Sequence, residues 1–115
     1  MTTLSSAAAQ VTAACQTVPD VPTRAVGDLT AVGPGPALVV LPPAAVGHPA
    51  QALWDVEVTV IVIGDSHLDA AGLVHLADTT MAAVAAAGLP CTARPTTVQI
   101  GPDTRTPAYE LTVEV

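Results

Sequence analysis

The side chains with the clearest chemical potential are four carboxylates that the strand pattern places on one face of a sheet. Asp55 and Glu57 alternate with apolar residues in the segment 53–64, and Glu110 and Glu114 alternate in the same way near the C-terminus. Successive side chains of a strand point to opposite faces. Paired carboxylates can act as acid and base when their surroundings separate their pKa values. An exposed sheet face gives no cause for such a separation, so we expect an acidic surface without catalysis.

The histidines do not form a convincing metal or catalytic site. His67 and His75 are about two helical turns apart, which is too far for two ligands on one turn. His75 and Asp78 have a spacing that suits a pair of metal ligands, but a solvated helix face accounts for both. His48 lies in a loop rich in Pro and Gly. The sequence also lacks a phosphate-binding glycine loop. We therefore predict no metal, no cofactor and no enzymatic activity.

The charge balance argues against binding to nucleic acid. The chain has 115 residues and a formal net charge of −7, and its three basic side chains, Arg24, Arg94 and Arg105, are scattered. Affinity for nucleic acid rests on clustered basic groups that neutralise phosphates. No segment approaches the roughly 20 apolar residues that span a bilayer. The N-terminus also lacks the basic and apolar regions of a signal peptide. We expect neither sequence-specific nucleic-acid binding nor membrane insertion.

The apolar residues predict a core of small side chains. Half of the residues are hydrophobic, yet there is no Phe, one Trp and one Tyr. Small side chains bury less apolar area each, so we expect self-association to contribute to stability. Cys15 and Cys91 lie among small apolar residues, which favours buried free thiols. A disulfide is the alternative, although nothing in the sequence indicates export.

Helical and strand periodicities give a consistent set of elements. In chain order the pattern predicts a helix over 4–18, a short edge strand near 24–28, strands over 37–41 and 53–64, a helix over 67–87, and a hairpin of strands over 91–100 and 109–115. Ser5 or Ser6 is expected to cap the first helix and Gly88 to end the second. Residues 44–52 and 101–107 are expected to be loops. The fold class that follows is α+β: one domain over 1–115, with a mainly antiparallel sheet of about four to five strands and two helices packed on one face.

The second half of the central strand is apolar on both faces. Ile61 and Ile63 alternate with valines over 60–63, whereas the first half of the strand carries acids on its second face. A sheet with one solvated face has no need for this pattern, so a helix, a loop or another subunit should cover it. We predict that Ile61 or Ile63 lies at or near a subunit interface.

The order and character of these elements resemble a known family. A short N-terminal helix leads to a Pro-rich segment and the strand Pro-Ala-Leu-Val-Val-Leu-Pro at 36–42. A long strand follows, opening with Trp54 and running through Val-Glu-Val-Thr-Val at 56–60, and then a helix led by Asp65. The closing hairpin ends in Tyr-Glu-Leu-Thr-Val at 109–113. Over nearly its full length the chain resembles the small tail-terminator and minor tail proteins of long-tailed bacteriophages, especially those that infect high-GC actinobacteria.

This resemblance implies a structural role. Members of the family are small α+β proteins without enzymatic activity that form a ring, typically a hexamer. The ring caps the completed tail tube, halts its polymerisation and presents a surface for joining the head. The partners implied are further copies of the chain, the tail tube protein and the head–tail connector proteins. The location implied is the virion tail, assembled in the host cytoplasm.

Three other functions stay open. One is a head–tail connector or tail-completion subunit, since such proteins are built on a related fold. Another is a small regulatory domain that binds a ligand or divalent ion on the face carrying Asp55 and Glu57. The third is an enzyme that uses the histidines.

Overall fold

The computed structural model describes residues 3–19, 21–25, 36–48, 53–64, 70–99 and 105–115. Within them the chain forms, in order, α1 (Leu4–Cys15), β1 (Thr23–Ala25), β2 (Ala37–Val40), β3 (Ala44–His48), β4 (Leu53–Ile63), α2 (Ala70–Ala86), β5 (Cys91–Gln99) and β6 (Arg105–Glu114). The expected start of the second helix at His67, and Asp65, which leads that helix in the sequence, lie outside the described residues.

Helix α1 begins at a capping box one turn long. The Thr3 hydroxyl accepts a hydrogen bond from the Ser6 N–H at 3.0 Å, and the Thr3 N–H donates to the Ser6 hydroxyl at 3.0 Å. Each bond satisfies a donor that lacks a helical partner. The expected cap at Ser5 or Ser6 is therefore wrong: Thr3 is the cap, and Ser6 is its reciprocal partner. The helix ends at Cys15, three residues earlier than expected, in a turn where the Val18 N–H bonds the Cys15 carbonyl.

Helix α2 ends at the predicted glycine. Gly88 has a φ of +80°, which only glycine adopts without strain. Its N–H bonds the Ala85 carbonyl at 2.9 Å, and the Leu89 N–H bonds the Val84 carbonyl at 3.2 Å. These are the two bonds of a Schellman motif. They satisfy carbonyls of the last turn and direct the chain back into β5.

The strands form one sheet in the order β1-β2-β4-β6-β5, with β3 beside the first half of β4. All pairs are antiparallel except β1 with β2. The predicted α+β class with a mainly antiparallel sheet is confirmed. The expected loop at 44–52 is wrong in its first part, since residues 44–48 are strand β3. Strand β6 also begins at Arg105, inside the segment expected to be a loop.

A bulge separates β2 from β3 along one edge of β4. Val40 pairs with Val60 and Ala44 with Glu57, so three residues of one segment face two of the other. The extra residue lies in the Leu-Pro-Pro segment at 41–43, where two consecutive prolines cannot donate to the ladder. The bulge lets both segments use the same edge of the long central strand.

The two faces of the sheet are covered differently. The helix-facing cluster contains Ala7, Val11, Ala14, Cys15, Val18, Leu38, Val40, Val56, Val58, Val60, Val62, Leu73, Leu76, Val84, Leu111 and Val113. Both helices pack on this one face, as predicted. Helix α1 lies over β1, β2 and β4, and α2 lies over β4, β5 and β6. The fully buried Thr80 of α2 donates its hydroxyl to the Leu76 carbonyl at 2.8 Å, so its polar group is satisfied within the helix.

A second cluster lies on the opposite face of the sheet. It consists of Ala37, Val39, Ile61, Ile63, Val98 and Ala108. Ile61 and Ile63 retain only 4% and 1% of their exposure inside the single chain. Their apolar character therefore needs no second subunit to explain it, which removes the reason for expecting an interface at these two residues. Self-association itself stays a prediction.

Candidate functional site

The predicted acidic residues lie on the sheet face away from the helices. Glu57 of β4 pairs with Glu114 of β6, and Asp55 lies two residues before Glu57 on the same face. These three side chains are exposed, whereas Glu110 is half-buried. We call Asp55, Glu57, Glu110 and Glu114 the acidic sheet face. The strand alternation placed all four on the correct side.

Glu57 and Glu114 occupy a close type of cross-strand pair. The Val115 N–H donates to the Val56 carbonyl at 3.0 Å, which makes the neighbouring position the hydrogen-bonded pair of the ladder. Pairs alternate along antiparallel strands, so Glu57 and Glu114 form a pair without mutual backbone bonds. Side chains approach more closely at such pairs, and like charges placed there repel. Two carboxylates therefore face each other at the solvated end of the sheet.

Glu110 is separated from this pair by its own partner. It lies opposite Ile61 on one side and Arg94 of β5 on the other. Arg94 donates to a Glu110 carboxylate oxygen at 3.0 Å, with side-chain exposures of 72% and 30%. An ion pair this exposed contributes little to stability, but it neutralises one end of the acidic sheet face. The exposed pair of Glu57 and Glu114 lies away from this ion pair.

A shallow depression lies beside the three exposed acids of this face. Its volume is about 390 Å³, and its lining adds Val56, Pro90 and Val115 to the three carboxylates. The depression is formed where strands end. The end of β6 lies beside the start of β5 here, and the Glu114 N–H donates to the Pro90 carbonyl at 2.9 Å. In the described part of the chain, no group of three or more His, Cys, Asp or Glu side chains has the geometry to hold a metal ion.

The other described residues considered for chemistry belong to α2 and β3. His75 and Asp78 are exposed on α2, on the opposite side of the molecule from the acidic sheet face. His48 belongs to strand β3 rather than to a loop, and His67 lies outside the described residues. The backbone register places His48 opposite Leu53, two residues before Asp55 on β4.

The cysteines are free thiols in different parts of the core. Cys15 is buried where α1 ends, and burial raises its pKa to about 11. Cys91 opens β5 and is partly buried, and burial raises its pKa as well. A neutral thiol is a poor nucleophile. Cys15 is therefore the buried free thiol that the sequence predicts, whereas Cys91 is free but only partly buried.

Charge is divided between the two layers. Helix α1 has no charged residue, and α2 has only Asp78 together with His75. Most described carboxylates lie instead on the acidic sheet face. The described helices therefore carry one formal charge, at Asp78, whereas the acidic sheet face carries four carboxylates. None of the described helices is both long enough and apolar enough to cross a bilayer.

Two features of this surface were missed by the sequence reasoning. The Arg94–Glu110 ion pair was not anticipated. Alternation together with the strand register places Arg94 on the same face of the hairpin as Glu110. The direct opposition of Glu57 and Glu114 also depends on register. No protein-family profile and no curated protein matches this sequence. The fold and the distribution of charge are therefore the observations on which a function rests.

Proposed function

We propose that this chain is a structural protein of a bacteriophage tail, a terminator that forms a ring, caps the tail tube and offers a surface for head attachment. The observation that carries the proposal is the architecture. A short helix, a short strand, a long central strand, a second helix and a closing hairpin follow one another, with both helices on one face of the sheet. This is the arrangement that the resemblance to tail terminators implies.

The charge distribution supports the same role. A tail ring must let DNA through its channel without holding it. A surface of carboxylates repels the phosphate backbone of DNA. Scattered arginines cannot neutralise enough phosphates to hold the DNA. Glu57 and Glu114, which are exposed and face each other, contribute such a surface on one layer of the protein. The described helices, whose one formal charge is at Asp78, would add little repulsion between neighbouring subunits.

The composition of the core supports stabilisation by neighbouring subunits. Among the side chains that the structure describes, the largest fully buried ones are Leu38, Ile63 and Leu111, followed by valines, with no aromatic residue among them. A core of this kind buries less apolar area per residue than one with aromatic side chains. Contacts between subunits of a ring would add to the buried apolar area.

The experiment that tests the proposal measures association with tail components. Purified protein, alone and mixed with tail tubes, is examined by light scattering and electron microscopy. We expect rings, either free or at one end of each tube, because some terminators assemble only on the tube. Protein that stays monomeric in both conditions contradicts the proposal. Co-purification with portal rather than tube components would favour the connector role instead.

A second candidate function rests on the depression beside Asp55, Glu57 and Glu114. Carboxylate oxygens are ligands that Ca²⁺ and Mg²⁺ prefer, so a small ion-binding regulatory domain is the alternative. A ligand that binds only the folded state raises the melting temperature. A rise on adding millimolar Ca²⁺ or Mg²⁺, lost in Glu57→Gln, would favour this function over the structural one.

A further inference from the structure

From Cys91 to Val98, the outer edge of β5 is the longest strand edge without a partner in the described part of the sheet. β5 is terminal in the strand order and pairs only with β6, over the nine residues from Cys91 to Gln99. An edge strand offers unpaired N–H and C=O groups to another chain. The side chains of β5 do little to prevent this, since threonines predominate and its one charged residue, Arg94, is held by Glu110.

One backbone bond shows which residues of β5 face outward. The Glu114 N–H donates to the Pro90 carbonyl at 2.9 Å, one position before the first ladder pair of Cys91 with Val113. Hydrogen-bonded and non-bonded pairs alternate along antiparallel strands. The odd-numbered residues of β5 are therefore the non-bonded ones, and they turn their backbone groups away from β6. Ala93 and Thr97 present both an N–H and a C=O at the edge.

Pro95 lies between these two residues, opposite Tyr109. A proline has no N–H to donate. At this odd-numbered position the inward ladder to β6 loses nothing, because position 95 does not donate to β6. The backbone groups that point away from β6, however, lack the N–H donor at their centre, between Ala93 and Thr97. A proline one position earlier or later would instead have removed a bond to β6.

We infer that Pro95 closes the β5 edge against a second copy of this chain. A second copy is the natural occupant, because two identical antiparallel edges can pair about a two-fold axis. With that axis at position 95, Ala93 of one strand faces Thr97 of the other, and β5 contains no carboxylate that would repel its twin. The two central backbone bonds would both need the N–H of residue 95. In this register, the missing N–H of Pro95 therefore removes both central backbone hydrogen bonds between the two copies.

The test replaces Pro95 with threonine, a residue that favours strands. Sedimentation velocity compares wild type and Pro95→Thr at equal concentrations, with the species formed by the wild type as baseline. We expect at least a doubling of the mean mass in the variant, increasing with concentration. An unchanged mean mass would overturn the inference.

Pro107→Thr is the matched control. Pro107 also occupies a non-bonded pair of the hairpin, opposite Thr97, but its nitrogen faces the β4 side of β6. There β4 has already ended at the pair of Ile63 with Ala108. The control makes the same chemical change without altering the β5 edge, so its mean mass should equal that of the wild type. An increase equal to that of Pro95→Thr would contradict a specific role for the edge.

Hydrogen exchange on the wild type tests the same geometry without depending on a variant that folds. The amides of Ala93 and Thr97 should exchange rapidly, and those of Thr92, Arg94 and Thr96 slowly, because only the second group bonds to β6. In Pro95→Thr, the first two amides should become protected as the protein associates. Slow exchange at Ala93 and Thr97 in the wild type would overturn the inference, since the edge would then already be occupied. This inference holds whether or not the protein forms a tail ring.

Discussion

Glu57 of β4 and Glu114 of β6 face each other across a pair of strands without mutual backbone hydrogen bonds. Both side chains are exposed, and Arg94 is paired with Glu110, four residues before Glu114 on β6. Like charges in this position repel each other. The arrangement sacrifices some stability for a continuous negative surface, which is what the proposed role in DNA passage would require.

Replacing one member of this pair should stabilise the monomer. Glu114→Lys converts a repulsive cross-strand pair into an attractive one, and we expect a gain of about 0.2–1 kcal/mol in the free energy of unfolding at low salt. Urea denaturation measures it. Asp78→Lys on α2 is the matched control, because it makes the same charge change away from the acidic sheet face. An equal gain in the control would mean that net charge, and not the pair, is responsible.

Ile61 should behave as a core residue of the single chain. It is 4% exposed in a cluster with Val39 and Ile63, so Ile61→Ala should lower the free energy of unfolding by about 2–4 kcal/mol. The loss should not depend on protein concentration. Val74→Ala, at a position that is 42% exposed, should change stability by less than about 0.5 kcal/mol. If Ile61→Ala instead dissociates an oligomer while leaving monomer stability intact, the residue belongs to an interface.

At Gly88 there is room for a side chain, but the backbone conformation is one that other residues adopt only with strain. A Cβ added there meets no atom within 4 Å, yet the φ of +80° lies in the left-handed region. Gly88→Ala should therefore cost about 1–2 kcal/mol from backbone strain alone. Gly88→Asn should cost less, because asparagine adopts this region more readily. Equal stability of the alanine variant and the wild type, measured by thermal unfolding, would refute the strain argument.

Cys15 should make the protein less stable in alkali. Burial raises the pKa of its thiol to about 11 in the folded state, while an unfolded chain has a thiol pKa of about 8.5. The unfolded state therefore releases its proton first as pH rises. The stabilising contribution is complete below about pH 8.5 and is lost progressively up to pH 11, a change of about 3 kcal/mol. Cys15→Ala should show a weaker dependence of its urea midpoint on pH over this range; an identical dependence in both proteins would contradict the assignment.

The elements with strong local signals were predictable from the sequence. Gly88 followed by Leu89 and Pro90 marked the end of α2, and the alternation around Val58 marked β4 and its buried side. Strand β3 was not predictable in this way. Its Ala-Ala-Val-Gly-His sequence has little strand preference and follows two prolines. It is a strand because the first half of β4 offers a free edge, and such pairing depends on tertiary structure.

The candidate site was predictable in its composition but not in its geometry. Alternation placed Asp55, Glu57, Glu110 and Glu114 on one face. It could not show that Glu57 meets Glu114 directly or that Glu110 is taken by Arg94, because both depend on the register of β6 between its neighbours. The same limit applied to Ile61: its apolar character was evident, but whether the chain itself or a partner buried it could not be read from spacing.

The proposed role is tested most directly by the growth of tail tubes. Tube protein from the same phage or prophage is allowed to polymerise on a preformed tail tip, with and without this chain, and tube lengths are measured by electron microscopy. The account predicts that adding this chain stops further elongation and leaves a ring at the open end of each tube. Tubes that continue to elongate at the same rate, with bare ends, would contradict it.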